Sequence, residues 1–285
     1  MTDHLYEHHV AIRQNKMCPF KLAFLEQSFD CVCNWHKNIE VILVTEGSGT
    51  IVYGHKKMDF AKNDMIIVNS DVLHRLYSVQ GINYYYLIID ETFCAENGIS
   101  TRDRRFSPIL REENANRLFE AVVSALGDYY GNREDLHHLN TSKARLAVLS
   151  LLIALCENHS TPNDPQSGDQ KPSEDYVKKV IAYLGDHYRE PITLDSLAGI
   201  CGITKCYLAR EFKRYTGQTV LTYLNTLRSK QAEACLAEGM SVTETAYECG
   251  FESISYFSRT YKKIIGASPS KTRKKLPHAS HNEKI

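Results

Sequence analysis

Two hydrophobic rhythms divide this chain. From about Phe20 to Asp90 the apolar residues come in short runs: Val41–Val44, Thr50–Tyr53, Met65–Val68 and Tyr84–Ile89. Turn clusters such as Gly47-Ser48-Gly49 and Lys62-Asn63-Asp64 separate them. Short runs at this spacing predict the strands of a barrel or jelly roll. Beyond them the period becomes helical. Between Glu113 and Tyr130, the residues Leu118, Val122, Leu126 and Tyr129 fall on one stripe. Between Thr141 and Cys156, the stripe is Leu146, Leu149, Ile153 and Cys156, and Val148, Leu151, Leu152 and Leu155 add to it. That second helix is apolar nearly all round, too much so for a lone surface helix. Either it is buried within its own domain, or half of it meets a second copy of the chain.

The segment from Glu157 to Ser173 breaks the pattern. Its prolines (Pro162, Pro165 and Pro172) stand among Ser, Asn, Asp, Gln and Gly, the composition of a linker.

After the linker one pattern is written twice. A shift of 48 residues lays Ile192-Thr193 on Met240-Ser241, Ala198 on Ala246 and Cys201-Gly202 on Cys249-Gly250. Past the glycine the shift is 49, with Glu252 as the inserted residue, and Leu208, Arg210, Phe212, Lys213 and Gly217 match Phe257, Arg259, Tyr261, Lys262 and Gly266. Two copies of one pattern predict two copies of one supersecondary unit. Each reads as helix, tight turn, helix. Thr193 and Thr204 are the expected N-caps of the first unit, with Gly202 making the turn between them. Ser241 with Glu244 forms a capping box in the second, Gly250 turns the chain and Ser253 opens the last helix of the pair. Leu208 and Phe212, like Phe257 and Tyr261, lie four apart and share a buried face. The outward positions are then Cys206, Ala209, Arg210 and Lys213 in one copy and Ser255, Arg259 and Lys262 in the other.

The run from Ile192 to Arg273 resembles the DNA-binding domain of the AraC/XylS-like transcription regulators. Leu208-Ala209-Arg210-Glu211-Phe212-Lys213, Cys249-Gly250-Phe251, Tyr256-Phe257-Ser258-Arg259 and Gly266-Ala267-Ser268-Pro269 with Arg273 carry the resemblance over about 80 residues. Thr272 departs from it, since the family usually has an aromatic before the arginine. The resemblance implies double-stranded DNA as partner, with two recognition helices entering successive major grooves. The expected contacts are Lys205, Cys206, Ala209, Arg210 and Lys213 in copy one, and Ser253, Ile254, Ser255, Arg259 and Lys262 in copy two. Between the copies, seventeen residues from Leu221 to Ala237 read as a helix of about 25 Å, close to the ~34 Å repeat of the duplex.

Charge agrees with this division. The net charge is zero, yet from Lys171 onward there are 18 Lys and Arg against 12 Asp and Glu, which leaves 16 against 22 before it. A basic half behind an acidic one suits nucleic acid on one side only. Lys262, Lys263, Lys271, Arg273, Lys274 and Lys275 cluster at the basic end, where phosphate contact and a solvated terminus are both open readings. The nine cysteines show no metal-finger spacing and are expected as reduced core residues. No signal peptide is read at Met1–Val10 and no eighteen apolar residues run together, so a cytoplasmic protein without membrane contact is expected.

The strand-rich half carries a second resemblance. His36-Lys37-Asn38-Ile39-Glu40, six residues and Gly47 resemble the first box of the cupin barrels, and Asn69-Ser70-Asp71-Val72-Leu73-His74 falls where their second box would. Metal-binding cupins take two histidines and a glutamate from the first box and a histidine from the second. Here Asn34 stands for the first histidine, and Asn69 and Asp71 for the usual proline and glycine. Even spacing puts His36 and Glu40 on one strand face, inward if Ile42 and Val44 are core. Three readings stay open for His36, Glu40 and His74: a metal site, an organic-ligand pocket, or a buried polar group that satisfies itself. Trp35, Tyr53 and Tyr84-Tyr85-Tyr86 are candidate stacking walls.

The expected architecture is therefore two-domain α+β: a cupin-like β-barrel plus two helices, then an all-α domain with two helix-turn-helix units. The boundaries fall at residues 1–158 for effector binding and dimerisation, 159–173 for the linker, 174–276 for DNA binding and 277–285 for a tail. The expected function is a sequence-specific regulator whose barrel senses a small molecule, for example of sugar type, through Trp35, His36, Glu40 and His74. Homodimerisation is expected through Thr141–Cys156. No catalytic residues, metal or cofactor are expected. The competing reading is a cupin-type metal-dependent enzyme or metal sensor fused to a DNA-binding domain.

Overall fold

A computed structural model describes residues 17–131, 137–163 and 172–274. The chain divides into two compact units, the second beginning at Pro172 in the described residues.

In the first unit the strands are β1 (Phe20–Asp30), β2 (Ile39–Glu46), β3 (Ser48–Tyr53), β4 (Lys56–Ala61), β5 (Met65–Val68) and β6 (His74–Ile89). They are antiparallel and build a nearly closed barrel in the order β4-β3-β6-β2-β5, with β1 paired to β6. The long β6 is the spine: His74–Tyr77 pairs with β3, and Asn83–Ile89 pairs with β2 on one side and with β1 on the other.

The alternation of side chains sorts two cores. Ile42, Val44, Ile66, Val68, Ile82 and Tyr84 pack inside the barrel with Ile51, Phe60 and Leu76. Their neighbours Ile39, Val41, Leu43, Met65, Ile67, Leu87 and Ile89 face the other way, into a second core shared with helices. Strand β2 is thus buried on both faces, which is why Ile39–Val44 is apolar apart from Glu40. A register slip of one residue would exchange the two cores and carry Glu40 out of the barrel.

The helices follow: α1 (Glu91–Glu96), then β7 (Arg104–Phe106) and β8 (Ile109–Leu110), then α2 (Glu113–Gly131) and α3 (His137–Asn158). Asp90 caps α1 by accepting from Thr92 and Phe93 backbone N–H groups. Ala115, Phe119, Val122 and Leu126 of α2 meet Ala144, Val148, Leu151, Leu152 and Leu155 of α3. The buried stripe of α3 therefore differs from the expected one. Leu149 and Cys156 are partly buried, while Leu146 is 67% and Ile153 48% exposed. Helix α3 is long and apolar enough to cross a membrane by length and composition, as the core helix of a globular unit can be. Here its fully buried side chains pack in the barrel unit.

The polar segment after α3 is shorter than its composition suggested. Helix α3 runs to Asn158, β9 (Ser160–Pro162) pairs with β7, and Pro172 already opens α4 (Pro172–His187). The middle of the linker, residues 164–171, lies outside the described residues.

The second unit is helical. After α4 come α5 (Leu194–Cys201), α6 (Lys205–Thr216), α7 (Val220–Ala237), α8 (Val242–Glu248), α9 (Ile254–Ile265) and α10 (Pro269–Lys274). Helix α4 was not foreseen, although Val177, Val180, Ile181 and Leu184 give it a regular buried stripe. The expected caps are all present. Thr193 accepts from Ser196 N–H, Thr204 from Tyr207, Ser241 from Glu244 and Ser253 from Tyr256. Ser241 and Glu244 close the capping box, and Thr193 with Ser196 makes a second one that sequence reading missed.

Helix α7 joins the two helix-turn-helix units, and its buried face is partly polar. Leu221 lies off that face, 58% exposed, while Asn225, Arg228, Ser229 and Gln231 are buried. Arg228 donates to the carbonyls of Tyr188 and Glu190 at 2.7 and 2.9 Å. The same short stretch presses on the second unit: a Cβ on Gly250 would lie 2.7 Å from the Arg189 carbonyl oxygen. Arg189 also pairs with Glu248 at 3.0 Å. Thr272, the departure from the family pattern, accepts from the Tyr261 hydroxyl at 3.2 Å, replacing aromatic packing by a hydrogen bond.

Candidate functional site

The outward faces of α6 and α9 carry the expected DNA contacts. Leu208 and Phe212, and Phe257 and Tyr261, are buried to 1% or less. Their burial fixes the rotation of each helix and turns the opposite side to solvent. Lys205, Cys206, Arg210 and Lys213 are exposed and Ala209 is half-buried in α6. Ser253, Ser255, Arg259 and Lys262 are exposed at the start and along α9. Ile254 differs from them, since it packs against the second unit's core and presents only part of its surface.

Local contacts orient these side chains. Arg210 lies over the Tyr207 ring, 5.2 Å from its centroid, with its Nε 3.3 Å from Glu211. Glu211 is buried and also holds Arg214 at 2.5 Å. Lys205 pairs with Asp195 at 3.0 Å, both ends being exposed. Arg259 Nε donates to the Ser255 carbonyl one turn back at 3.3 Å. Exposed ion pairs of this kind are weak and readily exchanged for phosphate or base contacts. Lys263, Lys271 and Arg273 are exposed near the end of the helices. Lys275 lies outside the described residues, as does the side chain of Lys274.

Inside the barrel the structure gathers His36, Glu40 and His74. Glu40 comes from β2, with the parity of Ile42 and Val44, so it points inward as expected. His74 opens β6 and pairs across the sheet with Tyr53, while a backbone bridge joins it to Asn34. The carbonyl of His36 accepts from Asp71 N–H at 2.8 Å. Asp71 itself has φ 62°, so it takes the left-handed turn for which a glycine is the usual residue. Glu40 Oε2 lies 3.1 Å from His36 Nε2 and 3.3 Å from His74 Nε2. On the far side of each ring, His36 Nδ1 meets the Asn38 carbonyl at 2.8 Å and His74 Nδ1 meets that of Val72 at 3.0 Å. Burial by itself would raise the Glu40 carboxyl, but the two histidine hydrogen bonds and charges hold it well below the usual carboxylate range.

The other pocket candidates divide. Trp35 is half-buried. The Tyr53 hydroxyl is engaged by the backbone and side-chain amide of Asn69, at 3.1 and 2.5 Å. Asn69 goes on to hold Phe106 through both its N–H and its carbonyl, which explains an asparagine at that position. Tyr84 lies in the core with its hydroxyl 2.8 Å from Cys31, and Tyr85 packs on Phe24. Tyr53 and Tyr84 are thus packing residues first. A separate cleft of about 360 Å³ lies between α2 and α3, lined by Glu112, Leu118, Leu151, Leu155 and His159 among others. No sequence signal marked it, because its walls come from distant stretches brought together by helix packing.

Comparison with known proteins meets both sites. Residues 26–155 match the model of an AraC-like ligand-binding domain, and residues 197–275 match that of a helix-turn-helix domain. The HTH-type transcriptional regulator YdeC of Bacillus subtilis is 23% identical over 248 residues, covering 85% of this chain and 85% of that protein. A regulator of the same type in the cgkA 5′ region of Pseudoalteromonas carrageenovora is 31% identical over 121 residues, 42% of this chain and 72% of its own length. The transcriptional activator RhaR of Escherichia coli is 24% identical over 247 residues, 84% of this chain and 85% of RhaR.

Proposed function

The chain belongs to the AraC-type transcriptional regulators, with a ligand-binding domain ahead of a helix-turn-helix domain, and from that premise we propose how its residues divide the work. It is a DNA-binding regulator and not an enzyme. In our reading, residues 1–158 sense and pair, residues 174–276 read DNA, and the segment 159–173 tethers them.

Base edges are read by Cys206, Ala209 and Arg210 in the first unit and by Ser255 and Arg259 in the second, with Ile254 contributing apolar contact at its exposed edge. Lys205, Lys213, Ser253 and Lys262 meet the backbone, where they position the helices without specifying sequence. The observation that carries this is the paired geometry: Leu208 and Phe212 in one helix and Phe257 and Tyr261 in the other are buried at matching positions, which turns Arg210 and Lys213, and Arg259 and Lys262, to solvent. Helix α7, eighteen residues long, spaces them by about 27 Å along its axis.

The effector is a small molecule held in the barrel around Trp35, His36, Glu40 and His74. The support is position, since His36, Glu40 and His74 gather as buried polar groups beside the apolar barrel core, with the half-buried Trp35 adjacent in sequence. Two copies pair through α3, where Leu139, Leu146 and Ile153 repeat every seven residues and are 53%, 67% and 48% exposed. Such a heptad stripe suits a two-fold helix pair. The protein works in the cytoplasm, where its DNA is.

The experiment is a footprint of the full chain on its own upstream DNA, with candidate metabolites and with chelator. Protection of two successive major grooves on one face, altered by a metabolite, supports the reading. Protection without groove periodicity overturns it.

A further inference from the structure

We propose that Glu211 is a specificity-determining positioning residue of the first reading unit: it holds the Arg210 guanidinium ready for a guanine edge, and α4 holds Glu211 in turn. The inference rests on the reading of Arg210 as a base contact given above.

Glu211 is a carboxylate only 6% exposed, lodged in a helix that faces a polyanion. Its charge opposes attraction to phosphate, so its place there calls for a use that offsets this. Its two oxygens are divided between two cations. Oε1 accepts from Arg210 Nε at 3.3 Å, and Oε2 pairs with Arg214 Nη2 at 2.5 Å. Adjacent residues of a helix point about 100° apart, so Arg210 and Glu211 meet only because both long side chains bend toward each other.

Helix α4 keeps the Glu211 end in place. Arg214 Nη2 also donates to the Ser173 hydroxyl at 3.1 Å, and that hydroxyl lies 3.2 Å from the Tyr215 hydroxyl. The Arg214 guanidinium stands over the Tyr215 ring, 4.8 Å from its centroid. Ser173 is buried in the first turn of α4. A second tie runs from the same helix to Arg210. The Arg210 guanidinium lies 5.2 Å from the Tyr207 ring centroid, and Tyr207 meets the Tyr176 ring of α4 edge-on at 6.5 Å. Arg210 is thus held by a charge and by an aromatic face, and α4 backs both supports.

This leaves one part of Arg210 available. With Nε on Glu211, the two Nη groups remain at the outer end of a side chain that is 69% exposed. Such a fork matches the paired O6 and N7 acceptors of guanine in the major groove. Holding the side chain beforehand lowers the ordering cost of binding. The second unit supplies the contrast. The repeat lays Thr260 on Glu211 and Lys263 on Arg214. Arg259 there donates its Nε to the Ser255 carbonyl of its own helix. Of the two reading arginines, Arg210 is therefore the one held by a neighbouring carboxylate.

The test selects duplexes from a random-sequence pool with the full chain and reads base preference position by position. Arg210→Ala identifies the base pair at which preference is lost. Glu211→Gln keeps the size and removes the charge. It should lower the preference for guanine at that pair by at least about 5-fold, out of the roughly 5- to 150-fold that a bidentate contact gives. Preferences in the other half-site should stay as in the unaltered protein, whereas a purely structural role would lower both half-sites together. In an Arg210→Ala background, Glu211→Gln should change base preference no further. Ser173→Ala should give a smaller loss at the same pair. Thr260→Glu builds the same carboxylate beside Arg259 and Lys263 at a half-buried position, and it decides the matter if Glu211→Gln does not fold. A sharper preference at the Arg259 base pair then supports the proposal, and no gain overturns it. Unchanged preference in folded Glu211→Gln, loss spread evenly over the site, or a preferred base other than guanine at the Arg210 pair overturns it as well. If Arg210→Ala weakens selected and random DNA alike, Arg210 reads no base and both readings fall. A base-specific Arg210 loss with Glu211→Gln unaltered removes this inference alone.

Discussion

At the scale of single residues, two glycines make the same turn under different constraints. Gly202 has φ 67° and open space where a Cβ would go, whereas Gly250 has φ 79° and the Arg189 backbone against it. Gly202→Ala should therefore cost only the left-handed strain, about 1–2 kcal/mol. Gly250→Ala should cost more, because backbone and not a flexible side chain must move. Urea denaturation of the two variants gives the order, and equal losses would show that the Arg189 stretch yields freely. The arginines of the reading helices differ in another way. Arg210→Ala and Arg259→Ala should each weaken binding to the specific site by about 1–3 kcal/mol and to random DNA by less. Equal losses on both DNAs, in a competition assay, would mean that they touch only phosphate.

Among the elements, α3 has two unlike faces, one buried in the core and one exposed. Leu152 is fully buried between α2 and α3, so a charge there tests the core and not an interface. Leu152→Asp should unfold the barrel unit, since even Leu→Ala at such a site costs about 2–5 kcal/mol. The interface lies on the other side. Leu146→Asp with Ile153→Asp should yield folded monomers by sedimentation, with circular dichroism unchanged. Dimers that persist would remove α3 from the interface. Helix α7 carries a comparable lesson. Arg228 is buried, and its guanidinium closes two carbonyls at the end of the α4 segment while lying 5.8 Å from the Phe251 ring centroid of the second reading unit. Arg228→Ala would leave both carbonyls unpaired, so it should lower stability and blur the spacing of the two footprints together.

Across the whole molecule, the question is how the barrel speaks to the DNA-binding unit. An effector must bind one state of the protein better than another, and a difference of about 1–3 kcal/mol gives a usable switch. By reciprocity, operator DNA must change effector affinity by the same factor. Calorimetric titration of effector onto free and DNA-bound protein should return that equality, and identical affinities would exclude allosteric control. Glu40→Ala with His74→Ala should remove the effector-dependent part of the DNA-binding isotherm. A wild-type response would place the pocket elsewhere, with the α2–α3 cleft at Glu112 and His159 the next candidate.

The sequence alone determined whatever depends on local order along the chain. The repeat, the four N-caps of the two helix-turn-helix units, the turns at Gly202 and Gly250 and the inward parity of Glu40 all follow from spacing and backbone preference within a few residues. That is also why the family was legible from motifs that lie on consecutive turns. Only the tertiary structure decided matters that depend on which surfaces meet. Leu146 and Ile153 share a helical stripe with Leu149, yet packing against α2 chose Val148, Leu151 and Leu155 for burial and left those two outside. The sequence also shows a histidine missing at Asn34, which argues against a metal. The fold sets Asn34 beside His74 and brings both imidazole Nε2 atoms to one carboxylate oxygen. That geometry depends on strand pairing between residues as far apart in the chain as Glu40 and Ile88, and local pattern carries no information about it.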